Sequence, residues 1–293
     1  MAKNRKETIA AYLFVSPAVL LFLCFFGIPM LVSFALIFFQ YDIVKEPVFV
    51  GWDNIVRFFT DPDIPLVFGN TAKLMLPLVA IHSTLGLLFA YLVLNVGKRL
   101  MSTYRTVIYF PTIVTTTSVA VAWAFIFDTD LGVINYYLRF LGIENIPWLV
   151  SPGWTLPAIM IFSVWKFIGT PFLFYMIGLQ NIPNSYYEAA EIDGANGWRK
   201  FFHITLPMLT PTTFMVIVLS FINYLQLFDE PYVLTRGGPG MASTTVSLFI
   251  FRNFEAQRMS YASTIATCLF LIIMAVTIIQ FAISKKWVQY GNE

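Results

Sequence analysis

Six apolar runs, each long enough to cross a bilayer, constrain this chain more than any other feature. They cover residues 9–39, 69–96, 104–127, 154–179, 208–228 and 261–284 of the 293. A hydrocarbon core ~30 Å thick needs ~20 helical residues at ~1.5 Å each, so every run is long enough. Composition agrees: 58% of the residues are hydrophobic, 12% are charged, and the mean hydropathy is +0.74. A soluble domain carries about 25% charged residues. The expected fold is all-α, a polytopic membrane protein with six transmembrane helices in one domain over 1–293. Pro17 and Pro29 are the expected kink points of the long first run. That run is too long for a cleavable signal peptide, and no small-residue cleavage site follows it. Cys24 and Cys268 both lie in apolar runs and read as buried free thiols.

Basic residues in such a chain report topology first, and the net charge of +2 gives no reason to expect a nucleic-acid partner. If the N-terminus is inside, the inner segments hold ten Lys/Arg, including Lys98, Arg99, Lys285 and Lys286. The outer segments hold six, spread over longer loops. The short loops decide, and they predict N-in, C-in.

One segment between the spans is polar and helix-prone. Residues 183–207, between the fourth and fifth runs, then face the cytoplasm. Pro183 stops the fourth span from continuing. Ser185 and Glu188 have capping-box spacing. Tyr187, Ala190 and Glu191 recur at helical spacing. Gly194 permits a sharp turn, and Asn196 can cap a second short helix that runs through His203 and stops at Pro207. The spacing predicts a helix–turn–helix elbow along the inner membrane face. Such an elbow either merely joins two spans or docks on a partner. The small Ala189 and Ala190 leave room for close approach, and Glu188 and Asp193 offer anionic contacts.

Glu188-Ala189-Ala190, then Asp193-Gly194-Ala195, then Ile204, Leu206 and Pro207, resembles the EAA loop of ABC importer permeases. Leu234-Thr235-Arg236-Gly237-Gly238-Pro239 and Gly51-Trp52-Asp53-Asn54-Ile55 resemble outer-loop patterns of the carbohydrate-uptake, MalF-like branch. The similarity covers essentially the whole chain, without the extra N-terminal spans and large insertion of MalF itself. The resemblance implies that Glu188, Ala189, Ala190, Asp193, Gly194 and Ala195 couple to a cytoplasmic ATPase, and that Ile204 and Pro207 anchor the elbow to the fifth span. It implies a second permease, two ATPase subunits, an extracytoplasmic solute-binding protein and a sugar substrate, in a bacterial or archaeal cytoplasmic membrane. No Gly-x-x-x-x-Gly-Lys-Ser/Thr loop is present, so ATP-Mg is expected only on the partner ATPases and the chain itself is expected to hold no cofactor or metal and to be no enzyme.

Polar side chains at membrane depth are costly and mark candidate sites. Trp165 and Lys166 in the fourth run, with Asn223, Tyr224 and Gln226 in the fifth, supply the amide, hydroxyl and aromatic chemistry that a sugar needs. The bland alternative is interhelical packing. The resemblance adds Gly169, Phe172, Ser220 and Leu227 to this substrate pathway. His82 and Ser83 lie further from it, in the second run. Were Lys166 to face the substrate, an anionic or phosphorylated sugar derivative would fit; it could instead pair with an acid on a partner subunit. Thr235, Arg236, Gly237, Gly238 and Pro239 read locally as a tight turn and, through the resemblance, as a contact loop for the binding protein. An ion-driven secondary transporter would need inverted repeats and more acids in the spans, and neither is visible. A non-transporting scaffold would not need polar residues clustered on two spans.

Overall fold

The computed structural model describes residues 5–42, 46–94, 96 and 98–288. Lys3 and Lys45, counted in the charge argument, lie outside them. Among the described residues three continuous helices, Glu7–Leu36, Asp63–Leu94 and Met259–Ser284, are long and apolar enough to cross a membrane. Three further helix pairs pass the same test but are bent. They are Leu100–Ile113 with Thr116–Ile126 (96°), Thr155–Phe167 with Gly169–Gln180 (44°), and Gly197–Met208 with Thr210–Leu225 (60°). Helices and pairs together follow the six apolar runs in order, and they are called the first to sixth spans below.

The ends and bends differ from expectation for identifiable reasons. The second span starts at Asp63, whose carboxylate suits the positive end of a helix. The first span deforms not at a proline but in a π turn, Leu23–Gly27, between Pro17 and Pro29. Pro29 sits in the first turn of the next helix, Ile28–Leu36, where its missing N–H matters least.

The chain divides into two compact units. Met1–Pro62 and Ile250–Phe270 form one. Here Gly51 turns the chain with φ +61°, and the Asn54 side chain donates to the carbonyls of Ile37 and Phe39, both at 2.9 Å. A two-residue antiparallel pairing, Phe39–Gln40 with Val48–Phe49, is the only sheet among the described residues. Tyr261 donates to Asp61 at 2.6 Å, and the Arg57 guanidinium lies 4.0 Å from the centre of its ring.

Asp63–Phe249 and Leu271–Glu293 form the other unit. Its core joins the second span (Ala90, Val93) to the fourth (Phe172, Tyr175, Met176) and the fifth (Leu209, Val216). In lipid such contacts rest on close packing rather than on expulsion of water. Gly86 shows how close: a Cβ there would lie 2.9 Å from Pro171 Cβ and 3.1 Å from its backbone carbon. Connector residue Asn135, fully buried, donates to Thr129 and Ile146 carbonyls at 2.9 Å and accepts from Trp148 Nε1 at 3.1 Å.

Gly86→Val should therefore overpack the joint between the second and fourth spans and cost ~1–3 kcal/mol. Thermal melting of the solubilised protein checks this, and an unchanged midpoint would show that the joint has slack.

Candidate functional site

The third span breaks where a lysine can mend it. A 96° bend after Ile113 ends the hydrogen-bond ladder and leaves the last carbonyls of that helix without intrahelical donors. Lys166, from the fourth span, points its ammonium at them. It donates to Pro111 O at 2.5 Å, Val114 O at 2.6 Å and Thr112 O at 3.3 Å. The side chain is 1% exposed. A cation at a helix C-terminus also suits the helix dipole. Thr112 reciprocates, its hydroxyl donating to the Lys166 carbonyl at 3.0 Å beside the bend of the fourth span.

The other fourth-span candidates occupy the same packed side. Gly169 lies against the third span, where a Cβ would come within 2.6 Å of Thr112 Oγ1 and 2.9 Å of Tyr109 Cα. Phe172 is fully buried in the core. Trp165 packs on Trp123 with ring centres 5.2 Å apart and is 41% exposed.

The neighbouring face of the fourth span opens on a cavity of about 340 Å³. Phe167, Thr170, Pro171 and Phe174 line it from that side, and Ser220, Asn223, Tyr224, Gln226 and Leu227 line it from the fifth span and its end. His82 lines it from the second span. The structure thus gathers all five fifth-span candidates around one cavity, while Trp165, Lys166, Gly169 and Phe172 lie beside it. His82, placed further off by sequence, reaches Tyr224. Its Nδ1 lies 2.8 Å from Leu78 O, and the Tyr224 hydroxyl lies 3.0 Å from Nδ1 and 3.3 Å from Nε2. Which ring nitrogen carries the proton sets whether the phenol donates to the ring or accepts from it.

Two acids also line the cavity, Asp229 and Glu230, at the start of helix Asp229–Thr235. This helix packs on Thr116–Ile126 and Thr155–Phe167. Asp229 is exposed, whereas Glu230 is only 3% exposed. Burial pushes the Glu230 carboxyl up to about 7, its own backbone N–H and Lys166 pulling the other way and Asp229 adding to the rise. No ion pair of Glu230 occurs among the described residues. The sequence alone did not single it out. A signal existed: Asn223, Gln226 or Leu227, and Glu230 recur at i, i+3/i+4 and i+7.

The Gly-Gly-Pro segment folds inward. Arg236 and Gly237 take positive φ after the helix, at 49° and 74°. Thr235 and Ser243 hydroxyls meet at 2.7 Å, Ser243 donates to Gly238 O at 2.8 Å, and Thr244 donates to Gly237 O at 2.9 Å. Asn70 of the second span then fixes the following turn through Met241 O at 2.8 Å and Thr244 O at 3.1 Å. Of the five loop candidates Arg236 is exposed, Gly237 is buried, and Thr235, Gly238 and Pro239 are half-buried.

The elbow forms as a helix, Asn184–Ile192, a turn, and a second helical stretch, Gly197–Met208, with a π turn at Phe201–Thr205. Gly194 has φ +73°; its N–H bonds Glu191 O at 3.0 Å, and Ala195 N–H bonds Ala190 O at 2.8 Å, a Schellman ending. Asn196 caps the second helix, accepting from Arg199 N at 2.9 Å. The expected Ser185 cap does not form: the helix starts two residues early, Pro183 takes the cap position, and no side-chain cap bond is made. Nor does the second helix stop at Pro207, which sits in the first turn of Leu206–Met208; the break comes at Leu209.

The elbow has two faces. Tyr187 and Glu191 hold it together, through the Tyr187 hydroxyl 2.9 Å from Thr205 Oγ1 and Lys200 donating to Glu191 at 2.6 Å. Ile204 packs against the core. Glu188, Ala189 and Asp193 stand exposed, and so does Ile192, 88% exposed one turn beyond Glu188. Trp198 is 73% exposed on the second helix. Sequence reading overlooked Ile192 and Trp198, although an Ile amid Glu188, Glu191 and Asp193 was a visible anomaly.

The chain is thus a helical membrane unit with a partly polar cavity between its spans and an exposed elbow. A family model described as binding-protein-dependent transport system inner membrane component matches residues 82–289. A probable ABC transporter permease protein, YesP of Bacillus subtilis, is 38% identical over 99% of this chain and 94% of its own. The lactose transport system permease protein LacF of Rhizobium radiobacter is 34% identical over 97% and 96%. A crystal structure of a bacterial ABC transporter that imports the acidic polysaccharide alginate shares the fold, with TM-score 0.86 and 23% identity over 97% of this chain and 98% of that one. The chain belongs to the family of binding-protein-dependent transport inner membrane components. It is a multi-pass permease subunit of the cytoplasmic membrane and does not itself carry out catalysis.

Lys166→Met should leave buried carbonyls without a donor and cost ~1.5–3 kcal/mol, read as a lowered melting midpoint. In the elbow, Asn196→Ala should cost ~1 kcal/mol, whereas Ser185→Ala should stay within ~0.5 kcal/mol. Equal effects of the last two would contradict the capping pattern.

Proposed function

We propose that the chain is the permease of an ATP-driven importer for a sugar or oligosaccharide. The cavity carries this reading: amide, hydroxyl and aromatic groups from two spans converge on one space, and those spans are joined by the elbow. Asn223 and Gln226 suit sugar hydroxyls, and Phe167 and Phe174 suit the apolar faces of the rings. Relatives named for lactose and for arabinooligosaccharide transport support the class. The chain forms a single permease domain with both termini in the cytoplasm, as the Lys/Arg asymmetry directs.

Glu188, Ala189, Ala190, Asp193, Gly194 and Ala195 then form the coupling surface, together with Ile192. Burial of Ile192 and Trp198 in an ATPase cleft would contribute ~1.5–3 kcal/mol each. A second permease completes the pathway, two ATPases drive alternating access, and a solute-binding protein delivers the sugar. Contact with that protein falls to Arg236 of the Gly-Gly-Pro turn, with Thr235, Gly237, Gly238 and Pro239 shaping the turn behind it.

Ile192→Asp should abolish substrate-stimulated ATPase in the reconstituted transporter while the permease still reaches the membrane. Stimulation at the wild-type level would count against the docking face. Asn223→Ala should lower sugar uptake ~10-fold, the equivalent of ~1.4 kcal/mol, and uptake without the ATPase subunits would defeat the importer reading altogether.

A further inference from the structure

We propose that the cavity is a charge filter, in which Glu230 and Asp229 admit uncharged or cationic solutes and reject carboxylated or phosphorylated ones. The proposal rests on the cavity being the solute path and names the chemical class that path accepts.

The argument is one of which charges face the space. Asp229 and Glu230 line it. The lining holds no Lys or Arg, and His82 is its one other ionisable group besides the Tyr224 phenol. Lys166 is the cation that the sequence puts nearest. Its ammonium instead turns away, into the carbonyls of Pro111, Thr112 and Val114. An incoming carboxylate or phosphate therefore meets two acids and no available cation, in a half-apolar enclosure that weakens screening. Sugar hydroxyls, which donate as well as accept, meet carboxylate and amide oxygens suited to them. The fold alone does not set this preference, since the alginate importer of the same fold takes an acidic polysaccharide. Within the cavity, Glu230 and Asp229 set it.

Glu230 also gives the filter a pH range. Its carboxyl titrates at about 7, above the usual carboxylate range, so the filter relaxes as pH falls through neutrality. The groups around it are Asp229 on its own helix, Lys166 of the fourth span, Tyr224 of the fifth and His82 of the second. Helix Thr116–Ile126, packed against it, carries no ionisable residue. The Glu230→Gln variant isolates the contribution of this carboxyl.

A thiol probe tests the filter without knowledge of the sugar. Ser220→Cys is placed in the assembled transporter on a background of Cys24→Ser and Cys268→Ala. Its reaction with a trimethylammonium-ethyl and with a sulfonatoethyl methanethiosulfonate is timed, each rate divided by that of a free small thiol. The cationic reagent should be favoured ~10-fold or more. Glu230→Gln and Asp229→Asn should each shrink the ratio, and the rise between pH 6 and pH 8 should flatten in Glu230→Gln. Equal normalised rates, or a ratio untouched by both substitutions, would overturn the filter while leaving the importer reading intact. Failure of both reagents to reach residue 220 in any nucleotide state would instead overturn the solute path and the filter with it. Should Glu230→Gln not assemble, the exposed Asp229→Asn and the pH series still decide.

Discussion

The structure depends on one exchange of hydrogen bonds between two broken helices. Backbone carbonyls at membrane depth must find donors within the protein. The third span leaves several free at its 96° bend, and the Lys166 ammonium takes them. Thr112, at that same broken end, donates to the carbonyl of Lys166. Each break is mended by the span that carries the other. Gly169 lets the two backbones come close enough for this. The fourth span, one wall of the cavity, bends beside this exchange.

This exchange also directs the electrostatics. A lysine committed to carbonyls does not line the cavity, and its charge reaches that space only at longer range, through its pull on Glu230. Glu230, buried nearby without an ion pair among the described residues, is therefore left to shape the potential of the cavity with Asp229. The fourth span thus turns two faces to different tasks. Lys166, Gly169 and Phe172 hold neighbours, while Phe167, Thr170, Pro171 and Phe174 line the space.

Much of this was legible in the sequence because hydropathy and cap chemistry are local. The six apolar runs, the Gly194 turn and the Asn196 cap follow from short-range rules. What escaped depended on partners distant in the chain. Lys166 looks like a ligand for an anion until the carbonyls of residues 111–114 are placed beside it, and no local pattern announces a bend of that size. Ser185 lost its cap because Pro183 already supplies the extended entry to the helix. Glu230 was hidden by its position beyond a span, where a charge is ordinarily solvated. His82 was set aside on sequence distance, although Tyr224 lies within bonding reach of it.

The elbow has a mechanical consequence. Tyr187 to Thr205, Glu191 to Lys200 and Ala190 to Ala195 brace it at three points, so it resists flexing along its length. The stretch Gly197–Met208 is 12 residues, a rod of ~18 Å at helical rise. It meets the rest of the fifth span at 60° across Leu209. A stiff rod set at an angle to a second one is a crank. On the coupling reading proposed above, force on its free end would become torque near Leu209, and a push along the membrane plane would emerge as a swing of the helix that carries Ser220 and Asn223. The stroke would then be set by lever length and angle, which the chain fixes by where it bends.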